Sequence, residues 1–158
     1  MVGIDNSPGA VETAKRRGVL DVRQISITQV GRDLGTFDTI AFFGNNFGLF
    51  GNEKRARWLL KRFYRRTSSG GRIVAECMDP YQTDEKAHLD YHEFNRQRGR
   101  MGGQVRVRVR YKRHRSPWFD WLLVSEEELR GLLEGTGWWL RNVFPSGQGP
   151  FTAVMEKS

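Results

Sequence analysis

An aspartate at the end of a short apolar run is the first residue here with a chemical use: Val2-Gly3-Ile4-Asp5-Asn6-Ser7-Pro8. The order reads as a buried strand, an acidic tip and a helix start. Ser7 suits a helix N-cap and Pro8 the first helical position. A carboxylate at such a tip can accept hydrogen bonds from the hydroxyl pair of a ribose. The structural alternative is an aspartate that only caps the following helix. Asn6 beside it reads as a turn residue. Gly44-Asn45-Asn46 ends a second, mostly apolar run, Phe37-Asp38-Thr39-Ile40-Ala41-Phe42-Phe43. Open α/β sheets bind ligands beyond the carboxyl ends of their strands. Gly44 would permit close approach, and asparagine amides both donate and accept hydrogen bonds. The same residues also form ordinary turns. Glu76 and Asp79 close a third apolar run, and either could serve as a general base; solvated strand-end carboxylates are the plainer reading. His88 and His92 have the spacing of a metal pair on one helix face. No third ligand accompanies them, so exposed histidines and no metal are expected. The single Cys77 excludes an internal disulfide framework and reads as a core residue.

These residues need elements to hold them, and the pattern supplies a strand–helix alternation. A helix runs from Ser7 and Pro8 to Gly18, with Val11 and Ala14 on its apolar side. Val19 to Ile27 reads as a strand. Phe37 to Phe43 reads as a strand buried on both faces of a parallel sheet. Glu53 to Arg66 forms an amphipathic helix with Ala56, Leu59, Leu60 and Phe63 as its stripe. Ser68 to Gly71 breaks it, and Arg72 to Cys77 is another buried strand. Asp84 to Arg98 reads as a polar helix. Val105 to Lys112 alternates strictly, with Trp118 to Val124 as its antiparallel partner. Ser125 and Glu128 form a capping box before Leu129, Leu132 and Leu133. Trp138 to Phe144 and Phe151 to Glu156 close the chain as two strands. The 158 residues fit a single domain with a real core. Residues 81–124 read as an insertion within it.

Composition narrows the class. With 38% hydrophobic and 28% charged residues, the chain is globular rather than disordered. No apolar run approaches the ~18 residues that span a bilayer, and no signal peptide is legible; the cytoplasm is the expected compartment. The net charge of +8 is concentrated. From Arg96 to Arg115 there are nine Lys or Arg residues and no acidic one. Arg106, Arg108, Arg110 and Lys112 share one face of the alternating strand. That face reads as a solvated edge, as a phosphate-binding surface for nucleic acid, or as a contact for an acidic partner. Trp118, Phe119 and Trp121 could stack on bases, or pack the hairpin against the sheet.

The order of parts resembles the class I SAM-dependent methyltransferases. Val2-Gly3-Ile4-Asp5 is similar to the family's second strand and acidic tip, and Phe37-Asp38-Thr39-Ile40 to its fourth strand. Gly70-Gly71-Arg72-Ile73-Val74 resembles the turn into the fifth, and Ser125 through Glu156 the closing helix and hairpin. The resemblance implies an α/β, Rossmann-like, mostly parallel sheet with helices on both faces and a C-terminal antiparallel hairpin. It implies S-adenosylmethionine (SAM) as cofactor and an unidentified methyl acceptor. Asp5, with Asn6 beside it, would meet the ribose; Ser26 and Ile27 would lie near the adenine; Gly44, Asn45 and Asn46 would face the methionine end. The family's first strand and its glycine-rich turn have no counterpart, so the fold is expected to be N-terminally incomplete. A shortened gene product, a strand-donating partner or a homo-oligomer would account for that, and SAM binding by the chain alone is expected to be weak. Two other readings stay open: a nicotinamide-binding Rossmann enzyme, which would use Asp5 in the same way, and a nucleic-acid-binding module built on the Arg-rich hairpin.

Overall fold

Ser7 caps helix α1 (Pro8–Arg16) in the computed structural model, which describes all 158 residues. The chain folds as two compact units, residues 1–36 and 37–158. In the first, β1 (Gly3–Asp5) and β2 (Val22–Gln24) pair in parallel, with Gly3 opposite Val22 and Asp5 opposite Gln24. Helix α1 connects them and buries Val11. β2 is shorter than the Val19–Ile27 expectation. Ser26 instead caps a 3-10 turn, Ile27–Gln29, whose Gln29 side chain accepts from the Ser26 amide at 2.8 Å. That reciprocal cap competes successfully with strand continuation.

In the second unit the elements are β3 (Phe37–Phe42), α2 (Glu53–Tyr64), β4 (Thr67–Met78), α3 (Lys86–Arg96), β5 (Gln104–Val107), β6 (Arg110–Tyr111), β7 (His114–Arg115), β8 (Phe119–Leu122), α4 (Glu126–Leu133), β9 (Trp138–Pro145) and β10 (Pro150–Lys157). A four-stranded mixed sheet runs β3-β4-β10-β9. β3 and β4 are parallel, and β10 is antiparallel to both β4 and β9. The architecture is therefore α/β with an antiparallel close. β4 begins earlier than the sequence predicts. Ser68 to Gly71 does not end the helix cleanly but lies inside the strand as an irregularity: Phe37 faces Thr67, whereas Thr39 faces Arg72. Thr67 closes α2 by donating its hydroxyl to the Phe63 carbonyl at 3.1 Å.

The core forms where the predicted stripe of α2 meets the sheet. Ala56, Leu59, Leu60 and Phe63 are all buried. Phe42, Phe47, Phe50 and Phe63 make one aromatic cluster, with Phe47 stacked on Phe50 at 4.4 Å and Phe42 edge-on to Phe50 at 5.3 Å. Such offset and edge-on contacts add about 0.5–1.5 kcal/mol per pair beyond area burial. Trp138 donates its indole N–H to the Leu60 carbonyl at 2.9 Å, fixing β9 against α2.

Two expectations fail for related reasons. β3 is not buried on both faces. Phe42 is in the core, but Thr39, Ala41 and Phe43 are exposed, because β3 is an outermost strand with one face open to water. Its outer backbone edge pairs with no strand, and the same holds for the outer edge of β1. The alternating Val105–Lys112 segment is not one strand either. It pairs with β8 only as far as Val107, breaks at Arg108 and Val109, and continues as the small β6–β7 ribbon. Val109 and Tyr111 are exposed at 62% and 67%. Alternation needs a core for one face to bury against, and nothing covers this tip. No helix is long and apolar enough to cross a membrane.

Candidate functional site

Asp5 stands at the carboxyl end of β1, exposed, with Gln24 of β2 beside it. Its Oδ1 accepts from the Ser7 amide at 2.7 Å, so it does act in the turn that starts α1. One carboxylate oxygen suffices for that. The second makes no bond within the chain and faces water. Asn6 is exposed next to it. Ser26 and Ile27 follow the end of β2 at the same end of this small sheet. The Ser26 hydroxyl is occupied, accepting from the Thr28 amide at 3.3 Å and bonding Thr28 Oγ1 at 3.0 Å. Ile27 is half-buried.

In the second unit, Gly44, Asn45 and Asn46 follow the carboxyl end of β3, as the sequence predicts. Gly44 and Asn45 both take left-handed backbone conformations, φ +69° and +59°. The first is natural for glycine; asparagine is among the few side chains that tolerate the second. This pair of left-handed residues turns the chain sharply into the 3-10 turn Asn46–Phe50. The Asn45 Oδ1 atom is buried and has no hydrogen-bond partner. An orphaned buried acceptor costs free energy unless a ligand satisfies it. Glu76, considered above as a general base, is bonded to this loop. Its carboxylate accepts from the Gly44 amide, clamping the loop to β4. Asp79 is likewise engaged in its own turn, accepting from the Tyr81 amide at 2.9 Å and the Gln82 side chain at 3.2 Å.

Tyr81, which sequence reading passed over, joins two residues that it named for other reasons, Glu128 and His92. Tyr81 donates its hydroxyl to Glu128 Oε1 at 2.5 Å, and its ring meets His92 edge-on at 5.2 Å. Burial, aided by the Glu128 carboxylate, pushes the Tyr81 hydroxyl up to about 12. His92 is not the exposed histidine the sequence suggests. It is 5% exposed, and burial, then the Arg96 and His88 charges, hold it below the usual histidine range against the opposing pull of Asp79. His88 points elsewhere, to Thr83 Oγ1 at 3.1 Å, so the pair does not converge. The sequence signals touching this cluster are the capping box that named Glu128 and the spacing that named His92; neither links them to Tyr81. Cys77 is buried as expected, and burial raises its thiol to about 12.

The hairpin is anchored by Trp121, whose ring lies so close over Gly48 that an added Cβ would sit 1.9 Å from Trp121 Cε2. Trp118 remains 53% exposed under the Arg108 guanidinium, 4.8 Å from the ring centre. Arg106, Arg108, Arg110 and Lys112 are all exposed. Of the three aromatics, Trp121 packs on Gly48 and half-buried Phe119 meets its ring edge-on at 6.1 Å, whereas Trp118 is exposed.

No protein-family model matches the sequence, and no curated protein does. Solved structures do match in fold. A SAM-dependent methyltransferase from Bacteroides fragilis, in complex with S-adenosyl-L-homocysteine, superposes with a TM-score of 0.78 at 24% identity, over 99% of this chain and 62% of that one. A SAM-dependent methyltransferase from Methanosarcina mazei gives 0.66 at 14% identity, over 99% and 81%. A methyltransferase from Streptomyces caelestis gives 0.68 at 9% identity, over 99% and 74%. The chain thus spans 62% of the length of the Bacteroides protein. The two parallel pairs, the antiparallel close and these likenesses agree: the chain has the fold of the class I SAM-dependent methyltransferases.

Proposed function

We propose that this chain serves methyl transfer from SAM to an acceptor nucleophile, with Asp5 at the ribose and the Gly44–Asn46 loop at the methionine end. The observation that carries the reading is the buried, partnerless Asn45 Oδ1 at the carboxyl end of β3. A ligand ammonium group is the kind of donor that would satisfy it. The unengaged oxygen of Asp5 fits a diol in the same way. SAM, when bound, supplies a methyl group on a sulfonium; its transfer leaves S-adenosylhomocysteine (SAH), and the acceptor loses a proton. Such chemistry rests largely on holding the reactants in line. Glu76 contributes by fixing the Gly44 amide, which orients the loop, rather than by taking the proton. On the adenine side, Ile27 offers an apolar contact, whereas Ser26 is already committed to its cap. Residues 81–124 govern what reaches the acceptor side.

The open outer edges of β1 and β3 support a second part of this proposal. Unpaired backbone edges are costly and adhesive, so each edge is taken to receive a further parallel strand, from a longer form of the chain or from a partner. The chain alone then binds SAM weakly. The antiparallel close favours methyl transfer over nicotinamide chemistry, for which continued βαβ units would be expected.

Saturation-transfer NMR with SAH and, separately, NAD at matched concentration tests the reading. Saturation should reach the SAH ribose protons with a dissociation constant of about 1 mM, or about −4 kcal/mol, and Asp5→Ala should abolish it. Equal transfer to NAD, or transfer unchanged in Asp5→Ala, would overturn it. Micromolar SAH affinity would remove the dependence on an added strand.

A further inference from the structure

Arg55, Arg100 and Arg106 converge on a cleft of about 430 Å³, completed by Gln104, Trp118, Phe119 and Asp120. We propose that this cleft holds the carboxylate or phosphate of an anionic small-molecule acceptor; its assignment to the acceptor rests on the methyl-transfer reading above. Three arginines and one aspartate line the cleft, leaving a surplus of positive charge. Neither Arg100 nor Arg106 makes an ion pair or a side-chain hydrogen bond within the chain, although Arg106 sits directly across β5·β8 from Asp120. Uncommitted guanidinium donors lining a concavity match a planar oxyanion, which they can bind through paired hydrogen bonds.

The frame is rigid. Asn95, fully buried, donates to the carbonyls of Gly102 at 3.0 Å and Gln104 at 2.8 Å. The Asn95 backbone carbonyl accepts from the Arg100 amide at 3.0 Å. These bonds tie the turn that carries Arg100 to the strand that carries Arg106. Arg55 donates to the carbonyls of Phe50 at 2.8 Å and Leu49 at 3.0 Å, the end of the same 3-10 turn that begins at Asn46. Trp121, on the strand that supplies Phe119 and Asp120, packs on Gly48 of that turn. The cleft and the Gly44–Asn46 loop are therefore built on one short segment, which suits an acceptor held beside a methyl donor. A volume of this order is that of a small-molecule site, and the exposed indole of Trp118 provides an aromatic wall. A nucleic acid would instead follow the outer row, Arg108, Arg110 and Lys112, along the hairpin tip.

The test uses inorganic phosphate and benzoate as probes, titrated at constant ionic strength while the tryptophan indole N–H signals are followed by NMR. At least one probe should bind saturably and shift Trp118. Arg100→Gln with Arg106→Gln should raise its dissociation constant about tenfold or more. Arg65→Gln, the loss of one positive charge from an exposed residue at the end of α2, should change it by less than about twofold. The tighter probe identifies the acceptor's anion as phosphate or carboxylate. The proposal is overturned if neither probe saturates, or if Arg65→Gln weakens binding as much as the double change. It is also overturned if a short oligouridylate binds with steep salt dependence and Arg110→Gln weakens it as much as Arg106→Gln does. SAH is titrated in parallel. Anion binding without SAH binding would sink the methyl-transfer reading and the acceptor assignment with it; SAH binding without anion binding would sink the cleft alone.

Discussion

Replacing Glu128 by alanine should destabilise the second unit more than the loss of a helix cap alone. Its two oxygens have separate tasks: Oε2 accepts from the Ser125 amide at 3.1 Å, and Oε1 accepts from the Tyr81 hydroxyl at 2.5 Å. The cap bond is worth about 1 kcal/mol. The tyrosine bond, charge-assisted but only half-buried, is worth about 1–2 kcal/mol after allowance for screening. Glu128→Ala should therefore cost about 2–3 kcal/mol, lowering Tm by roughly 5–10 °C in a chain of this size. Glu128→Gln keeps one acceptor oxygen and should lose about half as much. All five tryptophans lie between Trp58 and Trp139, so urea unfolding followed by their fluorescence reports on this unit. A double-mutant cycle with Tyr81→Phe isolates the bond, and a coupling of about 1 kcal/mol is expected. Coupling below about 0.3 kcal/mol, within additivity, would refute the claim that Glu128 ties the Tyr81 turn to α4.

Three further outcomes follow from the same geometry. His92 is held below the ordinary histidine value of 6.5, so the unfolded chain takes up the proton first. The stability it contributes is present above pH 6.5 and is lost as pH falls; melting at about pH 7.5 and 5.5 should show a drop that His92→Gln diminishes. Gly48→Ala places a methyl inside the Trp121 ring and should cost at least about 2 kcal/mol in urea unfolding, where a loss under about 0.5 kcal/mol would count against the packing described. Cys77, buried with its thiol near 12, should resist a disulfide reagent in the native state and react promptly once urea unfolds the chain.

The sequence made the helices and the carboxyl-end loops legible because their signals are local. Ser7-Pro8, Ser125 with Glu128, and the Ala56–Phe63 stripe each act within a turn or two, and each lies where predicted. The Gly44–Asn46 loop was visible from the abrupt end of an apolar run. What stayed hidden depends on contacts remote in sequence. The Tyr81–Glu128 bond spans 47 residues, so no local pattern marked Tyr81, and His92 read as an exposed histidine. The Arg55–Arg100–Arg106 cleft assembles from a helix start, a turn and a strand, and no spacing rule links them. The alternating Arg-rich run misled in the opposite direction. Its pattern is that of a half-buried strand, yet the tip has no layer to bury against.

The most direct test of the central claim is amide chemical-shift mapping of the chain during SAH titration. Perturbations are expected at Asp5, Asn6 and Ile27 and at Gly44 and Asn45, each saturating with weak affinity. Shifts confined to the hairpin tip, or none at either Asp5 or Asn45, would contradict that claim.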